Sequence, residues 1–114
     1  MPYLLIQTNI ELESEQQTAL ITQASKAVAE MLGKPEIYVM VALHPNTAMS
    51  FAGNSEPTAY LELKSLGLPE QKTTQFSTIL CQLIEQVLNI PPARIYIEFS
   101  NRQASLWGWN SKTF

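Results

Sequence analysis

The hydrophobic residues in the first half of the chain follow a strand pattern and then a helix pattern. Residues 3–8 form a short apolar run that is typical of a strand. A capping box with Ser14 at the N-cap predicts the start of a helix, and Gly33 and Pro35 predict its end. Residues 37–43 form a second apolar strand. The apolar stripe of the helix consists of Leu20, Ala24, Ala27, Val28, Met31 and Leu32.

The second half of the chain repeats this order of elements. Residues 58–64 alternate as a half-buried strand does, Pro69 stands where a helix can begin, and residues 94–99 are typical of a closing strand. The second helical stripe consists of Phe76, Ile79, Leu80, Leu83, Ile84, Val87 and Leu88.

Equivalent elements in the two halves are separated by a nearly constant number of residues. The first strands start at 3 and 58, which differ by 55, and Tyr38 and Tyr96 differ by 58. We therefore predict a single domain built from two copies of a βαβ unit, at about residues 1–57 and 58–114.

Two βαβ units joined edge to edge predict an α+β fold with a four-stranded mixed sheet. Each crossover is expected to be right-handed with its two strands parallel, which places both helices on one face. The strands at 3–8 and 37–43 are apolar on both faces. Because one helical layer cannot cover both faces, we expect an oligomer. The tail over residues 104–109 is expected to supply an extra short edge strand.

Composition and charge exclude several classes of function. A chain of 114 residues with 46% hydrophobic and 15% charged residues predicts a globular protein. The net charge of −3 and the pI of about 5.0 provide no basic surface for nucleic acid.

No apolar run is long enough to span a membrane, and no signal peptide is present, so we expect a cytoplasmic protein with non-classical secretion left open. One cysteine and one histidine predict neither a disulfide framework nor a zinc site, and we expect no cofactor.

Pro2 is the first candidate for chemistry. Removal of Met1 would expose a secondary amine at the start of a buried strand, and such an amine is a capable base if its pKa is lowered. The competing interpretation is that Met-Pro is simply a common way to begin a chain. Lys34 is the second candidate, because its ammonium can meet a substrate carboxylate, although a lysine after a helix also stabilises the helix dipole.

The motifs together resemble the macrophage migration inhibitory factor family of the tautomerase superfamily. The resemblance covers nearly the whole chain and rests on matching segments in the right order. These segments are Met1-Pro2, Thr8-Asn9, Leu32 to Pro35, Met49 to Pro57, Ser65 to Gly67, Arg94 to Ile97 and Gly108 to Phe114.

This resemblance implies a homotrimer with active sites between subunits, in which an arylpyruvate such as phenylpyruvate, a small aromatic 2-keto acid, undergoes keto–enol tautomerisation. Pro2 matches the catalytic base, Lys34 the partner of the carboxylate, and the Leu66 backbone a substrate-binding position. Tyr96 matches a pocket aromatic from the neighbouring subunit. The pocket rim and floor match Tyr38, Trp107, Trp109 and Phe114.

Two positions depart from the pattern of the family. Glu98 stands where the animal proteins have an asparagine that contacts substrate, and a carboxylate there repels an anion unless it is protonated or turned away. Trp107 replaces a small aliphatic residue and is expected to narrow the slot.

Two other functions stay open at this point. Animal members act as cytokines, so a signalling or binding protein is the first alternative. Hydration or decarboxylation of small keto acids is the second, but relatives of that kind place arginines in the site, and neither Arg94 nor Arg102 occupies a matching position.

Overall fold

The computed structural model describes residues 1–114 and contains one main sheet, two long helices and a small C-terminal hairpin. The main elements are β1 (Tyr3–Thr8), α1 (Ser14–Leu32), β2 (Met40–His44), β3 (Ala59–Leu66), α2 (Thr73–Leu88) and β4 (Ile95–Arg102). The hairpin consists of β5 (Gly108–Trp109) and β6 (Lys112–Thr113). Neither helix is long and apolar enough to cross a membrane.

The four long strands lie in the order β2-β1-β3-β4. β1 pairs with β2 in parallel and β3 pairs with β4 in parallel, each pair being connected through a helix. The central pair, β1 and β3, is antiparallel. The α+β fold with a mixed sheet is therefore confirmed, and both parallel pairs follow the predicted strand–helix–strand order.

The core lies between the helices and one face of the sheet. Alternate residues of β1 and β3 are fully buried there, as expected for strands with one covered face. Helix α1 contributes Leu20, Ala24 and Val28, and α2 contributes a larger set that includes Phe76 and Leu80. The apolar stripes found in the sequence are thus the faces that the helices bury.

The opposite face of the sheet, here called the open face, is more polar than expected. Strand alternation and register place four rows of residues on it. The rows are Met40-Tyr3-Lys64-Ser100, Ala42-Leu5-Glu62-Glu98, His44-Gln7-Tyr60-Tyr96, and Leu66-Arg102 at the edge. The prediction that β1 and β2 are apolar on both faces holds for Leu5, Met40 and Ala42, whereas Gln7 and His44 make this face polar at the other end of the two strands.

Several predicted boundaries differ from the structure. Helix α2 begins at Thr73 rather than after Pro69, and β3 and β4 extend further than predicted, to Leu66 and Arg102. Two further differences have a clear local cause. The second strand begins at Met40 rather than at residue 37, because residues 36–38 form a 3₁₀ turn in which Tyr38 N donates to Pro35 O over 3.1 Å. The N-cap of α1 is Glu13 rather than Ser14, and the Glu13 amide donates to the Gln16 side chain over 3.0 Å. The capping box is therefore real but starts one residue earlier.

One arginine holds the linker between the two halves in place. This linker consists of residues 45–58, between β2 and β3. The Arg94 guanidinium donates to the carbonyl oxygens of Phe51, Glu56 and Pro57 over 2.9–3.2 Å and lies 5.1 Å from the centre of the Phe51 ring. Asn9 adds bonds to the same linker from β1. The segments around Asn9, Phe51 and Arg94 therefore act in folding, which explains these parts of the sequence pattern without a catalytic role.

The C-terminal residues form the expected short strands, and within this chain these strands pair with each other. The connecting residues Asn110 and Ser111 both have positive φ, as a tight two-residue hairpin turn requires. Phe114 N donates to Trp107 O over 3.2 Å, which folds the tail back on itself.

Candidate functional site

One end of the sheet gathers most of the candidate residues. The register places the starts of β1 and β2 beside the ends of β3 and β4, since Tyr3 pairs with both Met40 and Lys64, and Lys64 pairs with Ser100. This region is called the site end below. The helix-to-strand connection after α1 and the C-terminal tail also arrive at it.

Pro2 is buried at the start of β1, and its carbonyl oxygen accepts a hydrogen bond from Met40 N over 3.0 Å. Met1 carries the terminal amine in this structure, so the Pro2 nitrogen is an amide. Burial, and secondly the positive charge of Lys34, lower the pKa of the Met1 amine. The Met1 amine therefore loses its proton more readily than an ordinary terminal amine.

Lys34 and Leu66 meet directly at the site end. Gly33 ends α1 in the left-handed region at φ 63°, a conformation that glycine adopts without strain, and so turns the chain toward the sheet. Lys34 Nζ then donates to Leu66 O over 2.6 Å. Burial lowers the pKa of Lys34, and no carboxylate lies within ion-pair distance of it. Its charge is therefore available to an anion.

The turn after β3 depends on a residue that the sequence did not single out. Asn101 Oδ1 accepts from Leu68 N over 2.9 Å, and Asn101 Nδ2 donates to Glu70 Oε2 over 3.0 Å. Gly67 N donates to Arg102 O over 3.3 Å. These bonds fix the backbone that presents the Leu66 carbonyl. No sequence signal identifies Asn101, because its partners lie more than thirty residues away.

Aromatic side chains of the C-terminal tail pack on Tyr38. Tyr38 meets Trp109 edge to face at 5.8 Å, and Trp109 stacks on Phe114 at 5.3 Å between ring centres. Trp107 is half-buried at the base of this tail. The structure therefore brings Tyr38, Trp109 and Phe114 into one aromatic cluster, and Lys112 Nζ lies 5.5 Å from the centre of the Trp109 ring.

Tyr96 and Glu98 do not join this group within one chain. Tyr96 pairs with Tyr60 at the other end of the sheet, four strand residues or roughly 13 Å from Ser100. Its side chain is 65% exposed and contacts the Phe51 ring at 4.9 Å. Glu98 lies between the two ends. A site that includes both Pro2 and Tyr96 cannot form within one chain.

The Glu98 carboxylate has a partner of its own. Tyr60 Oη lies 3.0 Å from Glu62 Oε2 and 3.1 Å from Glu98 Oε2, and Glu62 also pairs with Lys64 at 3.5 Å. Burial and these carboxylates raise the pKa of Tyr60, so its hydroxyl stays protonated and able to donate.

None of the clefts of the single chain is lined by Pro2, Lys34 or Leu66. No group of three or more His, Cys, Asp or Glu side chains is arranged to hold a metal ion. The site end thus presents a cation, an aromatic cluster and a buried strand start on an open surface.

Comparison with known proteins shows which family the chain belongs to. The family model described as macrophage migration inhibitory factor matches residues 1–114, the whole chain. The chain belongs to the macrophage migration inhibitory factor family. The macrophage migration inhibitory factor homolog of Brugia malayi is 39% identical over 115 residues, covering all of this chain and 99% of the relative.

Solved structures of the macrophage migration inhibitory factor family have the same fold. The homologue from Prochlorococcus marinus is 44% identical with a TM-score of 0.92, and the alignment covers 98% of both chains. The protein from Toxoplasma gondii is 35% identical with a TM-score of 0.89, covering 98% of this chain and 99% of the other.

Proposed function

We propose that this chain is a keto–enol tautomerase of arylpyruvates that works as a homotrimer, with Pro2 as general base once Met1 is removed. The observation that carries the proposal is the environment of the chain terminus. The Met1 amine, one residue before Pro2, has its pKa lowered by burial and by the charge of Lys34. We expect the same causes to act on the Pro2 amine once Met1 is removed, and a base of lowered pKa is what proton abstraction near neutral pH requires.

The chemical step moves one proton and needs no cofactor. The Pro2 nitrogen takes a proton from the carbon next to the keto group, and the electron pair of the broken C–H bond forms the carbon–carbon double bond. The carbonyl pair moves onto oxygen, which takes a proton from water to give the enol. The hydroxide formed in this way takes the proton from the Pro2 nitrogen, which restores the base. The reverse sequence returns the keto form.

Lys34 binds the acid group in this proposal, and the Leu66 carbonyl holds the lysine in position. The Lys34 ammonium, which donates to the Leu66 carbonyl in the free chain, also pairs with the substrate carboxylate. A charge-assisted bond of this kind is stronger than a neutral one. The aromatic ring of the substrate lies against Tyr38, Trp109 and Phe114, and Trp107 narrows the slot.

The neighbouring subunit supplies Tyr96 and Glu98. Their distance from Pro2 within one chain supports an inter-subunit site, since they contribute only if a second copy brings them to the site end. The hydrogen bond from Tyr60 offers Glu98 a partner on its own sheet, which supports an orientation turned away from the anionic substrate.

Replacing the base tests the proposal. In protein whose intact mass shows that Met1 is absent, we expect Pro2→Ala to lower kcat/KM for phenylpyruvate by at least about 10²-fold, because a positioned general base contributes about that much. The measurement is α-proton exchange followed by NMR. Gln23→Ala, an exposed position on α1, is the control and should behave as wild type.

Trimmed wild-type protein that exchanges no proton on any arylpyruvate would falsify this proposal. A cytokine-like binding role needs no base, so binding to a receptor would survive Pro2→Ala.

A further inference from the structure

Arg102 is a cation without a partner at the site end. It is the last residue of β4 and pairs with Leu66, so alternation along the strand places both on the open face. Its side chain is exposed and makes no hydrogen bond, and the only ion pair of the chain joins Lys64 and Glu62. Arg94, in contrast, donates three hydrogen bonds from its guanidinium to the linker.

Charge changes sign along the open face. The Glu62–Glu98 row comes first, then Lys64 and Ser100, and then Leu66 and Arg102 at the site end. Lys34 reaches the same end through the Leu66 carbonyl. Three of the seven cations of an acidic chain therefore lie together at one end of its sheet.

No carboxylate forms an ion pair with Arg102. Glu70 Oε2 accepts from Asn101 Nδ2 over 3.0 Å and forms no ion pair with the guanidinium. Leu66 lies between the two free cations, with Lys34 on its carbonyl and Arg102 on the adjacent strand, about 4.8 Å away. Leu66 is therefore an apolar residue with a cationic residue on each side, and each of these two residues can bind an anion.

We propose that Arg102 is a second anion-binding residue and that the preferred ligands are dianionic, namely aromatic 2-keto acids with a carboxylate on the far side of the ring. Lys34 binds the carboxylate next to the keto group, and Arg102 binds the second one, for which its planar guanidinium offers two parallel donors. This rests on the proposed function for turnover, but the binding preference stands without it.

Binding of two matched probes tests the proposal without any chemistry. Cinnamate has one carboxylate, and 4-carboxycinnamate has the same skeleton with a second. At low ionic strength we expect the dianion to bind wild-type protein about tenfold more tightly by isothermal titration calorimetry, as one additional charge-assisted bond implies. Arg102→Gln should remove this preference and leave the Kd of cinnamate within about twofold.

Lys26→Gln makes the same change in net charge on the exposed side of α1 and should keep the full preference. Equal affinities of wild-type protein for the two probes would overturn the proposal, as would a preference that persists in Arg102→Gln; either result would mean that Arg102 is a solvated surface residue. Neither probe has an exchangeable α-proton, so an inactive Pro2 would refute the tautomerase function and leave this test valid.

Discussion

Lys34 acts on two different groups at the site end. Its ammonium donates to the Leu66 carbonyl over 2.6 Å, and its charge helps to lower the pKa of the terminal amine. The environment acts on Lys34 in turn, because burial lowers its own pKa. In the proposed site, Lys34 therefore both binds the anion and lowers the pKa of the base.

The pH dependence of activity should reveal this coupling. A base works only when deprotonated, and Lys34 disfavours the protonated amine. Lys34→Met removes that influence, so the pKa of the amine rises and the acidic limb of the kcat/KM profile moves to higher pH. Burial, the larger cause, stays in place. Lys26→Met is the control, and an unmoved limb in Lys34→Met would contradict the coupling.

The secondary structure was largely predictable, because helices and strands leave different hydrophobic periods in the sequence. The errors lie where local hydrogen bonds override those periods. Residues 36–38 have strand-like side chains, but Tyr38 N and Val39 N donate to Pro35 O and Glu36 O in a turn. Glu13 and Ser14 are both good cap residues, and a shift of one position leaves the apolar stripe of α1 unchanged.

At the scale of elements, Arg94 joins the linker to β4. Three carbonyl oxygens from the linker accept bonds from one planar guanidinium. The linker thereby lies against Phe51 and Tyr96, whose rings contact at 4.9 Å. These three bonds are here called the Arg94 clamp. The clamp fixes the surroundings of Tyr96, the aromatic residue that the proposed site takes from the neighbouring subunit.

Replacing Arg94 with lysine should lower the stability of the protein. Lysine keeps the charge but lacks the planar fork, so Arg94→Lys leaves carbonyl groups unpaired and should lower the free energy of unfolding by about 1–3 kcal/mol. Urea denaturation at a fixed protein concentration measures this. Arg102→Lys makes the same change at an unpartnered position and should stay within about 0.5 kcal/mol; equal losses in the two variants would show that the clamp contributes nothing.

At the scale of the whole molecule, the two parts of the proposed site lie at opposite ends of the sheet. Exposed apolar side chains, including Ile37, Met40 and Leu106, mark surfaces suited to contact with another copy. β2 and β4 are the free edges of the sheet. In the proposed trimer, one chain's site end meets Tyr96 of another chain.

Complementation between inactive variants tests this assembly. Pro2→Ala and Tyr96→Ser should each be nearly inactive alone. When they are unfolded and refolded together in equal amounts, about a quarter of the sites should combine an intact Pro2 with an intact Tyr96 from a neighbour. Activity recovered in the mixture, with trimers in sedimentation velocity, is the expected result. A mixture no more active than its components, or a monomer at micromolar concentration, would rule out the shared site.

Much less of the site than of the fold was predictable from residue patterns alone. Pro2 and Lys34 stood out only as separate candidates, and the family resemblance connected them. The link from Asn101 through Leu68 to the Leu66 backbone had no signal, because it joins a side chain to main-chain groups distant in sequence. Arg102 gained a candidate role only when the register placed it beside Leu66.

The open face is negative at its middle and positive at the site end, so the electrostatic potential changes along the strands. The chain as a whole is negative, with a net charge of −3, so a distant anion is repelled. At close range it meets Lys34, Lys64 and Arg102 at one end and Glu62 and Glu98 further along. An acidic ligand is therefore guided to approach along the strands from the cationic end, with its charged group leading.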